Sequence, residues 1–454
     1  MGRQWCSWRK RFGALVLWAL AGGIAFARPV PPNLVVNPST APVLMSAAAA
    51  HIYAATRTSL LQVRTLVDAA GRAISYGSGF LVSEDGLAIT NYHVVSQYAL
   101  DPKTYHLEFA RPDGTHGALI LIAVDVADDL AVVRLEGAHL PHLDFDPAAA
   151  NLQLGESVYS MGNPLNRGFT IVDGSYSGFV ERSYNRRLRF TGALNPGMSG
   201  GPTVSDGGQV VGINEAVVTD GQLTSVLVPA SKAVALLARV RTSAPLAFAQ
   251  MRGAIDHQML AWQSGFYKAV ESHGFRSATF GPYVAPESAA PWFDCWAQTN
   301  IEQTPKPRAQ MDSSVCESKN WLPIAEDLQI GRVELTHIYL RNGDLNAFQF
   351  AAFVSRYYDS ASLASLGALK RMTQPECREG FVAPSDVARA PVLRVMWCAR
   401  AYRDFAGIYD VMLTTVTQDK GRAALVSRLT LQGVSYDNAM GLSKRVMGAI
   451  AWKK

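Results

Sequence analysis

The sequence predicts a β-rich first half, a helical connector, and an α+β C-terminal region. Three observations carry this. Short apolar runs in the first half are separated by turns rich in Gly, Asn and Asp. From Phe248 to Val270, apolar residues recur at spacings of three and four, which is helical periodicity. Beyond residue 276, strand-length apolar runs alternate with turn residues and end in a helix-like pattern.

The 454 residues suggest two or three domains, and 48% hydrophobic content fits an ordinary globular chain. The formal charge of +5 is concentrated at the start. Residues 1–27 hold Arg3, Arg9, Lys10 and Arg11 and no acid, so 38 basic residues face 37 acidic ones in the remainder. That balance gives no basic character of the kind nucleic acid requires. The same residues read as a secretory signal: a basic start, an apolar run from Phe12 to Phe26, and a small-x-small site at Ala25-Phe26-Ala27. The apolar run is shorter than the roughly 20 residues of a membrane-spanning helix. No transmembrane segment is expected in the mature chain, which places it in the periplasm or outside the cell.

Residues 28–50 carry Pro29, Pro31, Pro32, Pro38 and Pro42 and read as a linker or extended arm. In Gly77–Val95, a strand is followed by a turn at Glu84-Asp85-Gly86 and a second strand that runs into His93. Leu130–Leu135 reads as a buried strand, with Asp129 at its entrance and Asp128 beside it. Asn195-Pro196-Gly197-Met198-Ser199-Gly200-Gly201-Pro202 is a tight turn around one serine, followed by the apolar run Gln209–Ile213.

These residue types suit one chemistry. A serine hydroxyl becomes a good nucleophile when an imidazole takes its proton. The imidazole needs a carboxylate on its other nitrogen. Backbone amides of Gly197 and Ser199 on such a turn suit a developing oxyanion. Asp129 is preferred over Asp128 because it directly precedes the apolar strand.

The segments GSGFLVSEDGLAITNYHVV, DDLAVVRL, GESVYSMGNPLNRGFTIVDGSYSG, NPGMSGGPTV, VVGINEAVV and SVLVPASKAV stand in that order. Together they resemble trypsin-like serine proteases, and more closely the bacterial Htr-type (DegP-like) branch, over roughly residues 55–240. The resemblance implies an all-β double barrel with the site between the barrels. It also implies a triad of His93, Asp129 and Ser199, with Gly197 as an oxyanion donor. One departure is Met198, where the family usually has Asn or Asp; the oxyanion donors are backbone groups and do not depend on it. In this fold the base of the primary pocket lies six positions before the serine, here Ala193 with Leu194 beside it. The absence of a carboxylate there argues against a Lys or Arg preference. Pocket walls from Ile213, Asn214, Val226 and Leu227 favour a small or medium apolar side chain. Glu215 either faces solvent or biases nearby subsites toward basic residues.

The expected organisation is a signal peptide (1–27), an arm (28–50), a trypsin-like domain (51–240), a helical connector (241–275) and a cysteine-stapled α+β domain (276–454). Ser231 is expected to cap a helix that Pro245 breaks. The next helix has the stripe Phe248, Met251, Ile255, Met259, Trp262, Phe266 and Val270, and stops at Gly274. Asn342-Gly343 predicts a hairpin between Val333–Leu340 and Leu345–Phe353. Val392–Tyr402, Ile408–Thr417 and Ala424–Val434 read as antiparallel strands, with a turn at Asp419-Lys420-Gly421. A last helix begins near Asp437 and turns Ala439, Val446 and Ile450 inward.

Cys6 lies in the signal, which leaves Cys295, Cys316, Cys377 and Cys398. An even count in an exported chain suggests two disulfides, with three pairings open and the local ones, Cys295–Cys316 and Cys377–Cys398, preferred. His139 and His142 lack the partners of a zinc site. The Htr-type branch usually carries a PDZ module after the protease, and its glycine-rich carboxylate-binding loop is not found here. The expected partners are protein or peptide substrates. Self-association, or a regulatory partner on the C-terminal region, stays open. The reading is an exported serine endopeptidase that needs no cofactor or metal. Its alternatives are a non-catalytic binding or chaperone-like protein on the same scaffold, or an esterase.

Overall fold

Two β-rich layers frame the first half of the protein. The structure is a computed structural model. It describes residues 45–454 except 216–224, 243–247, 289, 319, 321, 326–327, 361–362, 364–368 and 419–421. The expected signal peptide, most of the proline-rich arm, Pro245 and the Asp419–Gly421 turn lie outside the described residues. The end of that arm departs from expectation. Ser46 caps helix α1 (Ala47–Thr56) by accepting from the Ala49 amide, so the alanine run is helical.

The first sheet has seven strands. Their spatial order is His116–Ala118, Tyr105–Ala110, Leu60–Val67, Arg72–Leu81, Leu87–Thr90, Leu130–Arg134 and Ile120–Asp125. The second sheet closes into a barrel of Leu188–Phe190, Ser225–Pro229, Val210–Glu215, Pro202–Val204, Ser157–Gly162 and Thr170–Phe179. Two barrel-like sheets agree with the fold that the resemblance implied, the first open between its edge strands and the second closed. Helix α2 (Tyr92–Leu100) follows the fifth strand of the first sheet directly. His93 therefore sits in the first turn of a helix, not at the end of a strand.

Helix α3 (Ala230–Thr242) leaves the second barrel, and Ser231 lies inside it instead of capping it. Helix α4 (Phe248–His273) ends at Gly274, whose φ of +70° suits glycine. Met251, Ile255, Met259, Trp262, Phe266 and Val270 on its stripe are all buried. Burying side chains of this size contributes about 1.5–3 kcal/mol each.

The C-terminal region is built on a second seven-stranded sheet, antiparallel throughout. Its order is Phe293–Thr299, Ala309–Ser318, Val333–Asn342, Ala423–Val434, Tyr409–Gln418, Val392–Ala401 and Glu376–Val382. The expected Asn-Gly hairpin is not formed. Val333–Asn342 is a strand, but α5 (Ala347–Asp359) follows it. The reason is a capping box: Asn346 accepts from the Gln349 amide, and the Gln349 side chain accepts from the Asn346 amide. Helix α6 (Tyr436–Gly448) buries Ala439 and Val446, and Ile450 is buried just past its end. Both disulfides are present, Cys295–Cys316 and Cys377–Cys398, each between directly paired residues of an edge strand and its neighbour.

One hydrophobic cluster joins these regions. It contains Leu61 and Val133 of the first sheet, Val94 of α2, the buried α4 stripe, and Ile324, Leu328, Leu335 and Leu429 of the C-terminal region. Helix α4 is thus a shared core element. No helix among the described residues is long and apolar enough to cross a membrane.

Candidate active site

His93 and Asp129 are joined by two hydrogen bonds. The His93 amide donates to Asp129 Oδ1 at 2.9 Å, and His93 Nδ1 lies 2.7 Å from Oδ2. A carboxylate can only accept, so Nδ1 carries the proton and Nε2 is left as an acceptor. Asp129 is 1% exposed and adopts a left-handed φ of +54°, which Asp tolerates better than most residues. Its carbonyl accepts from the Tyr92 amide and from Asn91 Nδ2, which fixes the start of α2 against the strand entrance. Asp128 faces elsewhere, toward Lys232 Nζ at 3.1 Å and Arg187 at 3.5 Å.

Burial pulls the His93 pKa down. The charge and hydrogen bond of Asp129, with the charge of Glu215, outweigh this and hold it above the ordinary imidazole value. One edge of the ring stays open, with 34% of its side-chain surface exposed.

The serine loop is set by its composition. Asn195–Met198 is a turn closed by the Met198 amide donating to the Asn195 carbonyl at 3.0 Å. Proline at the second position and glycine at the third, with φ +96°, make it type II. A Cβ on Gly197 would lie 2.6 Å from the Asn163 carbonyl. A Cβ on Gly200 would lie 2.3 Å from the Ser78 carbonyl and 2.8 Å from the Asn91 nitrogen. Only glycine lets the loop close on the strand that leads into His93, and this brings Ser199 to that side of the cleft. The Ser78 amide donates to the Ser199 carbonyl at 2.7 Å, and Ser78 Oγ donates to the Gly197 carbonyl. Among the described residues, Ser199 Oγ makes no hydrogen bond, and the Gly197 and Ser199 amides have no protein acceptor. Met198 is fully buried, and its carbonyl accepts from the Gly201 amide and from Asn214 Nδ2.

The six pocket residues separate. Ala193 is exposed; Leu194 is half-buried, with its amide donating to Ser225 Oγ. Ile213 and Leu227 belong to barrel cores, and Val226 is buried. Asn214 Nδ2 donates to the Met161 and Met198 carbonyls, and its Oδ1 accepts from Thr203. Glu215 does not face solvent: it forms a buried ion pair with Arg187. Glu215, Asp128 and Asp129 around Arg187 outweigh the cost of burial and hold the guanidinium charged.

Sequence reasoning missed Arg187, Ser78 and Tyr92. The Asn185-Arg186-Arg187 run was the only hint of the first. The loop that carries Arg187 also inserts Tyr184 among Trp262, Phe266 and Trp292, with ring centroids 5.1–6.0 Å apart.

Comparison with known proteins finds similarity over these same residues. A family described as trypsin-like peptidase domain matches residues 77–213. Residues 77–213 are thus similar to trypsin-like peptidase domains. A probable periplasmic DegP-like serine endoprotease of Chlamydia trachomatis is 34% identical over 148 residues, covering 32% of this chain and 28% of that relative. The putative serine protease HhoB of Synechocystis is 33% identical, covering 34% of this chain and 37% of that relative. The chain thus spans well under half the length of these relatives. A serine endoprotease structure from Yersinia pestis aligns with 43% of this chain and 67% of its own, at 22% identity and a TM-score of 0.37.

Proposed function

We propose that this protein is an exported serine endopeptidase with Ser199 as nucleophile, His93 as general base and Asp129 as its orienting acid. The observation that carries this is the His93–Asp129 pair beside a serine turn whose Gly197 and Ser199 amides have no acceptor among the described residues. The family match over residues 77–213 and the DegP-like relatives support it.

Ser199 Oγ adds to the scissile carbonyl as its proton passes to His93 Nε2. The Gly197 and Ser199 amides take the negative charge that forms on the carbonyl oxygen. The C–N bond then breaks as His93 returns the proton to the leaving amine. A water, deprotonated by the same imidazole, releases the acyl group and restores Ser199. Asp129 keeps Nδ1 protonated and offsets the imidazolium charge. Exposed Ala193 and half-buried Leu194, with no carboxylate at either position, support a small or medium apolar residue before the scissile bond. Export is supported by the signal-like residues 1–27 and by the periplasmic naming of relatives.

The test is labelling with a fluorophosphonate, located by peptide mass spectrometry, beside casein cleavage. Labelling at Ser199 that is lost in Ser199→Ala and His93→Ala, with casein cleavage lost in both, is the expected result. A folded protein that neither labels nor cleaves would instead be a binding protein on this scaffold.

A further inference from the structure

A cleft of about 430 Å³ lies beside the serine turn, and its charged lining is entirely basic. Arg57, Arg64, Arg111 and His116 line it with Gln62 and Asn166, and no Asp or Glu does. None of the three arginines forms an ion pair among the described residues. Arg64 Nε donates to Gln62 Oε1 at 2.7 Å, and Arg111 donates to the Thr58 carbonyl at 2.6 Å. Two acids lie nearby outside the lining, and the charge of Arg111 also acts on Asp113. Glu108, opposite Arg64 on the neighbouring strand, lies 3.3 Å from His106, and Asp113 accepts from the Thr115 amide.

The cleft is wired to the oxyanion turn. Gln62 Nε2 donates to Asn166 Oδ1 at 2.6 Å. In the same loop, the Leu165 amide donates to the Pro196 carbonyl at 2.8 Å. Ser78 Oγ accepts from the Asn163 amide and donates to the Gly197 carbonyl. Residues 163–168 therefore form one flank of the turn. On the other side, exposed Ala193 and half-buried Leu194 lead into the turn. With the protease reading's acyl side placed at Ala193 and Leu194, the leaving-group side of a peptide crossing Ser199 runs along the basic flank.

We infer that Arg64 and Arg111 form a subsite for a carboxylate on the leaving-group side of the scissile bond. The inference rests on the protease reading for its direction but not for its chemistry. Guanidinium groups hold carboxylates in charge-assisted, frequently paired hydrogen bonds. The carboxylate has two sources: an Asp or Glu side chain a few residues after the scissile bond, or the free C-terminus of a short substrate.

The test uses fluorescein-labelled peptides with an apolar residue before the scissile bond, and with either Glu or Gln in the second and third positions after it. Each is made with an amidated and with a free C-terminus. Binding is read by anisotropy on the full-length Ser199→Ala protein, so it needs no turnover. Cleavage is read on the active-serine protein. The Glu peptide or the free-acid Gln peptide is expected to bind about fivefold tighter than the amidated Gln peptide. The preference should vanish in Arg64→Gln/Arg111→Gln and weaken at high salt. Which of the two peptides gains identifies the source. Arg64→Lys should keep part of the preference. Equal binding of all peptides, or a preference that survives the double variant, overturns the inference. If Ser199 labels while binding is unselective, the subsite falls and the protease reading stands. If binding is selective but Ser199 never labels, the subsite stands and the protease reading falls.

Discussion

The hydroxyl of Tyr92 donates to the carbonyl oxygen of Ile324 at 2.9 Å, across 232 residues of chain. Both residues are fully buried. Tyr92 directly precedes His93, and its own amide donates to the Asp129 carbonyl. Ile324 belongs to the two-stranded ribbon Leu322–Ala325 and Leu328–Ile330 of the C-terminal region. One side chain thus connects the start of the histidine helix to that region. With the shared core around α4, this makes the C-terminal region part of what holds His93 in place.

Tyr92→Phe keeps the ring and removes this hydrogen bond. The Ile324 carbonyl is then left buried without that donor, so a loss of about 1–2 kcal/mol is expected. Urea unfolding with an unchanged slope and a lower midpoint is the measurement. A midpoint equal to that of the parent protein would mean that the contact does not tie the two regions together.

The raised pKa of His93 sets a pH dependence with opposite signs for activity and stability. In the proposed mechanism the imidazole must be neutral to accept the Ser199 proton, so kcat/KM should rise with pH through a value above the about 6.5 of a free histidine. The stabilising His93–Asp129 charge interaction is complete below the unfolded-state value. It is lost as pH climbs through the folded-state one. Glu215→Gln removes one of the charges that hold the value up and should move the acid limb of the profile to lower pH. Asp129→Asn should cut kcat by about 10³–10⁴ through loss of the tautomer and of imidazolium stabilisation. A pH profile unmoved by Glu215→Gln would show that its charge is spent entirely on Arg187.

Gly197→Ala tests the serine turn. The new methyl meets the Asn163 carbonyl at 2.6 Å, and alanine is strained at a φ of +96°. The turn must shift, and with it the Gly197 amide. Loss of one oxyanion donor corresponds to about 10²–10³ in kcat. Substrate binding depends on other residues, so KM should change far less. A parallel loss of fluorophosphonate labelling rate would place the defect at the oxyanion and not at product release.

The readable parts of the site were those fixed by local chemistry. Asn195-Pro196-Gly197-Met198 can hardly form anything but its turn, and Asp129 directly precedes a run that is a strand. Helix α2 was not legible, because Tyr92-His93-Val94-Val95 has strand-forming side chains. Its helical start is imposed from 36 residues away, where Asp129 accepts the Tyr92 and His93 amides. The false hairpin at Asn342-Gly343 shows the reverse: a strong turn dipeptide was overruled by a capping box three residues on. The side chains of Arg187 and Tyr92 find distant partners, Glu215 and Ile324, and no local pattern announces such pairs. Met198 departs from the family pattern in its side chain alone, since the loop's hydrogen bonds run through its backbone.

The two disulfides should carry much of the stability of the C-terminal sheet. Cys295–Cys316 ties one edge strand to its neighbour and Cys377–Cys398 ties the other, each with a sequence separation of 21. Loops of that length lose about 3 kcal/mol of unfolded-state entropy when closed. The edges need such staples: Glu376–Val382 is exposed along its whole length, and Phe293–Thr299 is exposed from Cys295 onward. Few packing contacts would hold either strand otherwise. Replacing one cysteine pair with serines should lower the unfolding free energy by about 3 kcal/mol, and treating the parent protein with reductant should lower the thermal midpoint. Because the C-terminal core is continuous with that beneath His93, fluorophosphonate labelling of Ser199 should fade at the same lowered temperature. Labelling that outlasts the melting of the C-terminal sheet would show that the protease region stands without it.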